Sequence, residues 1–290
     1  MSVFPPRAPS EDHRRPGEYA ILPAVMDDIR ATLRMSWVDP GIRSVTAHPD
    51  FFAAAWSATR PNVTRSFAAA AERLRRLAEE AVPRMPSIDH VAWLESRLPP
   101  VDRDRLMRMV HALRTATPKV LIVIQGWAVL ARRRRIPGTG REEAPARRGI
   151  PNWQDTLGFL QLVLPPETES SLEDAAARLS LSSVPSSLRA LAAWPSYLEQ
   201  AERDVHRAIR TRAWRDAVGA LRRAAVDSLG WLPHLMELQW DVLARRGLTE
   251  GRREALADHL TSLAAAMPAD ILLAHLLWRA VGSPDGPVES

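Results

Sequence analysis

The chain has 290 residues, of which 46% are hydrophobic, and 39 basic against 34 acidic residues give it a formal net charge of +5. This apolar content is enough to bury the core of one large domain or of two ordinary ones. The chain contains no cysteine, which excludes disulfides, thiol nucleophiles and thiolate metal sites.

The basic charge does not predict nucleic-acid binding. Lys119 is the only lysine, and the arginines alternate with acids along predicted helices, as in AERLRRLAEE, which is typical of solvated helix faces. The densest arginine patch, ARRRRIPGTGREEAPARRG, has no interleaved aromatic residues and is interpreted as a connector. We therefore expect no nucleic-acid partner.

A membrane partner is not expected either. The opening segment, MSVFPPRAPSEDHRRPGEYA, has no apolar core after its charges and does not resemble a secretory signal. The longest apolar run, VLIVIQGWAVLA from Val120, has 12 residues, fewer than a bilayer span needs. These features predict a soluble cytoplasmic protein.

A flexible tail, residues 1–16, is predicted to precede a first helical region, residues 17–135. Apolar residues recur at helical spacing from Ile21 to Leu33 and again from Leu106 to Leu113. No stretch alternates apolar and polar residues between hairpin turns, so strands are not expected. The predicted fold class is all-α.

Two prolines stand directly before the most apolar segments of the chain. The tripeptide Thr117-Pro118-Lys119 is predicted to begin a helix, with the threonine as N-cap and the proline as first helical residue. Met267-Pro268 is interpreted in the same way. The segments that follow are apolar on nearly every side, so we expect them to lie at the centre of the fold.

A second helical region, residues 171–285, matches the first in register. Val184 follows Val38 by 146 residues, and Pro268 follows Pro118 by 150 residues. The steady register predicts two tandem homologous repeats that form a pseudo-dimer about a pseudo-twofold axis. A connector, residues 136–170, would join the repeats, with WQDTLGFLQLVL as a short helix, and residues 286–290 would form a C-terminal tail.

The repeated all-helical pattern, SWVDP around Trp37, TPKVLIVI at Thr117 and SVPSSLRALAAWPSYLE at Ser183 together resemble the DL-2-haloacid dehalogenases of the DehI type. The resemblance covers about residues 17–285. It implies an all-α pseudo-dimer with an active site between its halves. It also implies displacement of halide from the α-carbon of a short carboxylic acid, by a water that an aspartate activates, without a covalent ester.

The resemblance also assigns roles to particular residues. Trp37 matches a tryptophan that lines the substrate pocket. The segment Thr117–Lys119 stands where the family has an Asn-Pro-Lys motif that helps to place the attacking water. We expect no metal or cofactor, because the eight histidines are scattered without ligand spacing.

The chain departs from the family where the catalytic aspartate would lie. That place holds Ser187, preceded by Ser186, and the family's threonine and glutamate four residues apart are matched by Thr64 and Ala68. A serine hydroxyl cannot take a proton from water unless a second group activates it. No aspartate or histidine lies within a few residues of Ser187, so the water-activating base is predicted to be lost.

Each candidate residue has a structural interpretation beside the functional one. Ser186 and Ser187 can bind a substrate carboxylate or a departing anion, or cap the helix that follows. Thr117 at a helix N-terminus, with Lys119 beside it, would attract an anion, although the lysine can equally be solvated in the first turn. Asp39 could replace the lost base, or simply serve in an ordinary Asp-Pro-Gly turn.

Three functions follow from these residues. The first is displacement at an sp³ carbon of a small anionic substrate by the substrate's own nucleophile, such as aziridine formation with loss of sulfate, phosphate or halide, because orientation alone can then accelerate the reaction. The second is hydrolysis of a 2-haloacid with another acid, such as Asp39, as base. The third is a non-catalytic binding or partner subunit. A partner protein or a homo-oligomer is compatible with each.

Overall fold

The computed structural model describes residues 18–151, 153–154 and 164–282. Within them the chain is built from α-helices and short 3₁₀ turns, with two isolated β-bridges and no β-strand. The all-α prediction is therefore confirmed. The helices are α1 (Glu18–Leu33), α2 (Pro40–Ser44), α3 (Pro49–Thr59), α4 (Arg65–Ala81), α5 (Val91–Arg97), α6 (Pro100–Ala131), α7 (Pro166–Arg178), α8 (Ser186–Leu191), α9 (Pro195–Ile209), α10 (Arg212–Ser228), α11 (Trp240–Arg245) and α12 (Glu250–Ala280).

The order of long and short helices from α1 to α6 recurs from α7 to α12. Helix α8 starts 146 residues after α2, and α12 starts 150 residues after α6. These spacings are those of the sequence register. The duplication itself and its pseudo-twofold axis stay predictions, as do the boundaries of the two repeats. Both predicted tails and most of the predicted connector helix WQDTLGFLQLVL lie outside the described residues.

Compact units and sequence repeats are different divisions of this chain. One compact unit, unit 1, consists of the described parts of Met1–Glu72, Lys119–Ile150 and Ala224–Ala265. The other, unit 2, consists of the described parts of Arg73–Pro118, Pro151–Arg223 and Ala266–Ser290. Each unit therefore contains segments of both predicted repeats.

The two long helices correct one prediction. Pro118 lies inside α6 and Pro268 lies inside α12, so neither proline begins a helix. A proline within a helix withholds one backbone N–H from the hydrogen-bond ladder, which destabilises an isolated helix. Here buried side chains stand on both sides of each proline, such as Leu113 before Pro118 and Leu121 after it, and their packing keeps the helix continuous.

The segments after both prolines are core, as expected. Residues 120–124 of α6 and residues 271–274 of α12 are almost fully buried. Helix α12 is long and apolar enough to cross a membrane by composition, with a mean hydropathy of 1.6 over 18 residues. However, 67% of that window is buried inside the protein, so its length and composition alone do not make it a membrane span.

Candidate active site

Ser186 and Ser187 are the first two residues of α8, and both side chains are buried. The N-cap position belongs to Pro185, which offers no side-chain hydrogen bond. The expectation that these serines cap their helix is therefore wrong. Their own backbone N–H groups are among those that a helix N-terminus leaves without intrahelical partners.

Those N–H groups are bound by a carboxylate from a distant helix. Asp270, in α12, accepts hydrogen bonds from the backbone nitrogens of Ser186 at 2.9 Å and Ser187 at 3.1 Å. Its Oδ1 also accepts the Ser187 hydroxyl at 2.6 Å, and the Ser186 side chain hydrogen-bonds to the same carboxylate. We call Ser186, Ser187 and Asp270 the Asp270 cluster.

Burial controls the acidity of this carboxylate. Asp270 is 4% exposed, and the loss of hydration raises the pKa of its carboxyl above the ordinary value. The hydrogen bonds from Ser187 and Ser186 act in the opposite direction and do not cancel the effect of burial. A carboxylate with a raised pKa is a stronger base than an exposed one, which is the property that proton abstraction from water requires.

Sequence reasoning missed Asp270 because it searched for an acid within a few residues of Ser187. The two residues are 83 positions apart in the chain and meet only through folding. One signal was available: Asp270 is the only acidic residue between Asp258 and the end of α12 at Ala280. An acid in so apolar a segment is seldom buried without a partner.

Asp39 directly precedes α2, and Pro40 and Gly41, which the turn interpretation placed in a turn, are the first two residues of that helix. Asp39 is the N-cap of α2, and its Oδ1 accepts the Gly41 backbone N–H at 2.8 Å. The side chain is 3% exposed. Asp39 thus satisfies a helix N-terminus locally, as Asp270 satisfies that of α8 from a distance. Its catalytic role stays a prediction.

Trp37 is 5% exposed and belongs to the buried core. Its indole N–H finds no hydrogen-bond acceptor among the described residues. A buried donor without an acceptor carries a desolvation cost that a bound acceptor would remove. The predicted contact between Trp37 and substrate stays a prediction.

Thr117 does not present a helix N-terminus. It lies within α6 and is buried, and its hydroxyl donates to the Leu113 carbonyl one turn earlier, at 2.9 Å. The proposed anion site at this point is therefore wrong, because the neighbouring backbone N–H groups belong to a continuous helix. The resemblance to the Asn-Pro-Lys motif stands as a sequence similarity alone.

Lys119 is not a solvated first-turn residue. It is partly buried, and its ammonium donates to the Leu33 carbonyl at the end of α1, at 2.9 Å. Burial, with a smaller contribution from the nearby Arg34 guanidinium, lowers the pKa of Lys119 from 10.5 to about 8. The amine is therefore charged at neutral pH but titrates close to it.

The candidate residues are divided between the two units. Unit 2 contains Thr117 and the complete Asp270 cluster, whereas unit 1 contains Trp37, Asp39 and Lys119. In the Asp270 cluster, the side chains of the predicted candidates Ser186 and Ser187 hydrogen-bond to the carboxylate of Asp270. Within the described residues no group of three or more histidine or acidic side chains could hold a metal ion.

No protein-family model matches the chain. A curated relative, the configuration-inverting 2-haloacid dehalogenase of Pseudomonas sp. (strain 113), is 28% identical over 192 residues. The match covers 61% of this chain and 60% of that protein, so it spans about three fifths of the relative's length.

Solved structures of D-2-haloacid dehalogenase have the same fold. The complex with L-LA superposes with a TM-score of 0.77 at 20% identity, covering 97% of this chain and 100% of that chain. A mutant in complex with D-2-CPA gives a TM-score of 0.77 at 20% identity, with 95% of each chain covered. Another mutant gives 0.76 at 21% identity, covering 90% of this chain and 92% of that chain.

The solved structures with this fold and the curated sequence relative are all 2-haloacid dehalogenases, although their identities to this chain are only 20–28%. The superposition covers the whole length of a D-2-haloacid dehalogenase chain, and the curated relative is also a 2-haloacid dehalogenase. The resemblance to the DL-2-haloacid dehalogenases is thereby confirmed: this chain has the all-α fold of the D-2-haloacid dehalogenases and is similar in sequence to a configuration-inverting 2-haloacid dehalogenase.

Proposed function

We propose that this chain displaces halide from the α-carbon of a short 2-haloacid with water, and that Asp270 is the proton acceptor. The fold and the relative described above support the reaction class. The observation that carries the choice of base is the 2.6 Å hydrogen bond between the Ser187 hydroxyl and Asp270. This contact supports the choice because Ser187 stands where the resemblance expects an aspartate, and the hydrogen bond joins it to a carboxylate.

The hydrogen bonds of the carboxylate define the proton path. Asp270 already accepts from two backbone N–H groups and two serine hydroxyls, which fill about four acceptor positions of a carboxylate. The attacking water therefore donates to the Ser187 oxygen, whose own hydrogen points at Asp270. Water attacks carbon, the carbon–halogen bond breaks, and one proton passes through Ser187 to Asp270.

Ser187 acts as a relay in this proposal and not as the nucleophile. Attack by its oxygen on the α-carbon would form an alkyl ether, which has no acyl carbon for water to attack and would leave the enzyme blocked. A relay needs only that the hydroxyl accept one proton while it donates another, and serine can do both. Asp270, with its raised pKa, then holds the proton until it exchanges with solvent.

Ring closure by an internal nucleophile was favoured because the sequence near Ser187 contains no base that could activate water. Asp270 is such a base in this proposal. No contact among the described residues favours a cyclising substrate, so water is the proposed nucleophile. A non-catalytic subunit is placed below hydrolysis because the fold and the curated relative are those of 2-haloacid dehalogenases. Partner proteins and homo-oligomers stay predictions.

The proposal is tested with both enantiomers of 2-chloropropionate in ¹⁸O-water. Chloride release and one ¹⁸O atom per hydroxy acid are expected. Asp270→Asn should lower the rate roughly 10²–10⁴-fold, since a positioned base contributes that much. Asp258→Asn is the matched control, because Asp258 lies in the same helix, is 77% exposed and forms an ion pair with Arg132.

A double variant makes the test specific. Ser187→Asp with Asp270→Asn places the carboxylate where the resemblance expects it and should recover part of the activity that Asp270→Asn loses. Chloride release that survives Asp270→Asn unchanged would rule out Asp270 as base. A product without ¹⁸O after a single turnover would show that an oxygen of the protein, and not water, attacks the α-carbon.

A further inference from the structure

A serine and a histidine form a hydrogen-bonded pair in unit 1 that shares no residue with the Asp270 cluster. The hydroxyl oxygen of Ser44, the last residue of α2, lies 2.7 Å from Nε2 of His259 in α12. Both side chains are partly buried and therefore keep some contact with solvent. A hydroxyl within hydrogen-bond distance of an imidazole is the arrangement that activates a nucleophilic serine.

The packing of two helices fixes this pair. Gly41 lies one turn before Ser44 in α2, and Leu263 lies one turn after His259 in α12. A β-carbon placed at Gly41 would contact the Leu263 side chain at 3.8 Å, which shows how closely the two helices approach there. The serine and the histidine are thus held in register by neighbours on both helices, and their contact does not depend on a loop.

The surroundings keep the imidazole neutral. Burial lowers the pKa of His259 below its ordinary value of 6.5. The nearby His48 also has a lowered pKa, because of burial and the positive charges of Arg252 and, when protonated, His259. Near pH 7 His259 therefore carries a free lone pair on one ring nitrogen, which a general base requires.

Unit 2 provides an internal comparison, because it contains the counterparts of these residues in the sequence register. In the sequence register, Ser44 corresponds to Ala190, His259 to Met109 and His48 to Trp194. All three counterparts are buried apolar residues. The fold therefore tolerates apolar side chains at the corresponding positions of unit 2. Packing alone does not require Ser44, His48 and His259 in unit 1.

We propose that Ser44 and His259 form a second reactive site, which takes an acyl group from small activated esters. The Ser44 oxygen attacks the carbonyl carbon, its proton passes to Nε2 of His259, and that proton leaves with the departing alcohol as the ester bond breaks. Water then hydrolyses the acyl-serine through the same imidazole in a slower step, so the acyl-serine accumulates. The substrate class is uncharged esters, distinct from the 2-haloacids of the proposed dehalogenation.

The Ser44 hydroxyl has a competing acceptor, the Gly41 carbonyl at 2.8 Å. Rotation about the Cβ–Oγ bond carries the single hydrogen from that carbonyl to the imidazole. Reaction therefore requires the tautomer of His259 in which Nε2 has no hydrogen, with Nδ1 as the donor. A fixed opposite tautomer, in which His259 donates to Ser44, would leave the serine unreactive.

The test uses the full chain and p-nitrophenyl acetate. We expect one acetyl group per chain, mapped to Ser44 by mass spectrometry of peptides, with a rate that rises through a pKa below 6.5. His259→Ala should slow acetylation about 100-fold or more, and added imidazole should restore part of the rate. Ser96 is the internal control, because it is exposed and its hydroxyl donates to the Trp93 carbonyl without a histidine.

Two further variants separate this site from the proposed dehalogenase. Asp270→Asn should leave acetylation unchanged, and Ser44→Ala should abolish it while chloride release from 2-chloropropionate continues. Acetylation of Ser96 at the same rate as Ser44, an adduct on His259 alone, or the absence of any adduct would each overturn the proposal. A thermal unfolding curve confirms that His259→Ala is folded before its rate is interpreted.

Discussion

The Ser187 hydroxyl donates to the Asp270 carboxylate across 83 residues of sequence, at 2.6 Å. The same acid also binds the first two backbone N–H groups of α8, so one side chain both caps the helix and polarises the serine. Removing either partner therefore disturbs structure and proposed chemistry together. Variants that change one hydrogen bond at a time are the most informative.

Ser187→Ala removes one charge-assisted hydrogen bond and keeps the backbone bond to Asp270. The free energy of unfolding should fall by about 1–3 kcal/mol, because the buried carboxylate loses a donor. Chemical denaturation of this variant beside Ser96→Ala, an exposed serine, measures the difference. An effect no larger than that of the exposed control would show that the hydroxyl does not stabilise Asp270.

Asp270→Asn should change how stability depends on pH. Because folding raises the pKa of Asp270 above 3.8, the folded chain keeps this proton to higher pH than the unfolded chain. The stabilisation from that proton is complete below pH 3.8 and is lost as pH rises through the folded pKa. The stability of the native chain relative to Asp270→Asn should therefore decrease with rising pH, as urea unfolding at several pH values would show. A difference independent of pH would contradict the raised pKa.

Lys119→Met should remove a rise in stability under alkaline conditions. The pKa of Lys119 is about 8 in the folded chain and 10.5 ordinarily, so between these values the unfolded chain binds more protons. The free energy of unfolding of the native chain therefore rises by up to about 3 kcal/mol as pH increases through this range. The Lys119→Met variant should not show this rise. The two tyrosines titrate in both proteins, so the difference between their unfolding curves isolates the lysine. Parallel curves would disprove the lowered pKa.

His111→Phe should reduce the loss of stability in acid. Burial and the charges of Arg114 and Arg75 lower the pKa of His111 from 6.5 to about 4. Between pH 6.5 and about 4, His111 is protonated in the unfolded chain but still neutral in the folded chain. Falling pH therefore destabilises the native state over this range. Phenylalanine keeps an aromatic ring against Trp153 and Trp278, which now lie 4.9 and 5.1 Å from the imidazole centroid. Titration of the His111 ring protons by NMR checks the same pKa directly.

The fold was largely predictable from the sequence, since helical spacing and the absence of strand patterns are local properties. The errors lie where local and distant signals conflict. Pro118 looks like the start of a helix, but buried neighbours on both sides keep α6 continuous through it. Proline marks a boundary in sequence statistics, whereas packing decides whether the boundary exists.

The candidate site was predictable only in part. Ser186 and Ser187 were found by their place in a motif, but their interpretation as caps failed because an acid in another helix does the capping. No local pattern identifies a partner 83 residues away. The isolated aspartate in the apolar α12 was the available sign, because a buried charge needs a partner.

The order of α8 and α12 along the chain also bears on how the protein is made. A ribosome that has completed α8 has not yet synthesised the acid that holds its first turn, because α12 follows α9, α10 and α11. The Asp270 cluster can thus assemble only after these three helices and the first part of α12 have been synthesised. A nascent chain that ends before α12 would carry both serines without Asp270, so the proposed dehalogenation would begin only after α12 has emerged.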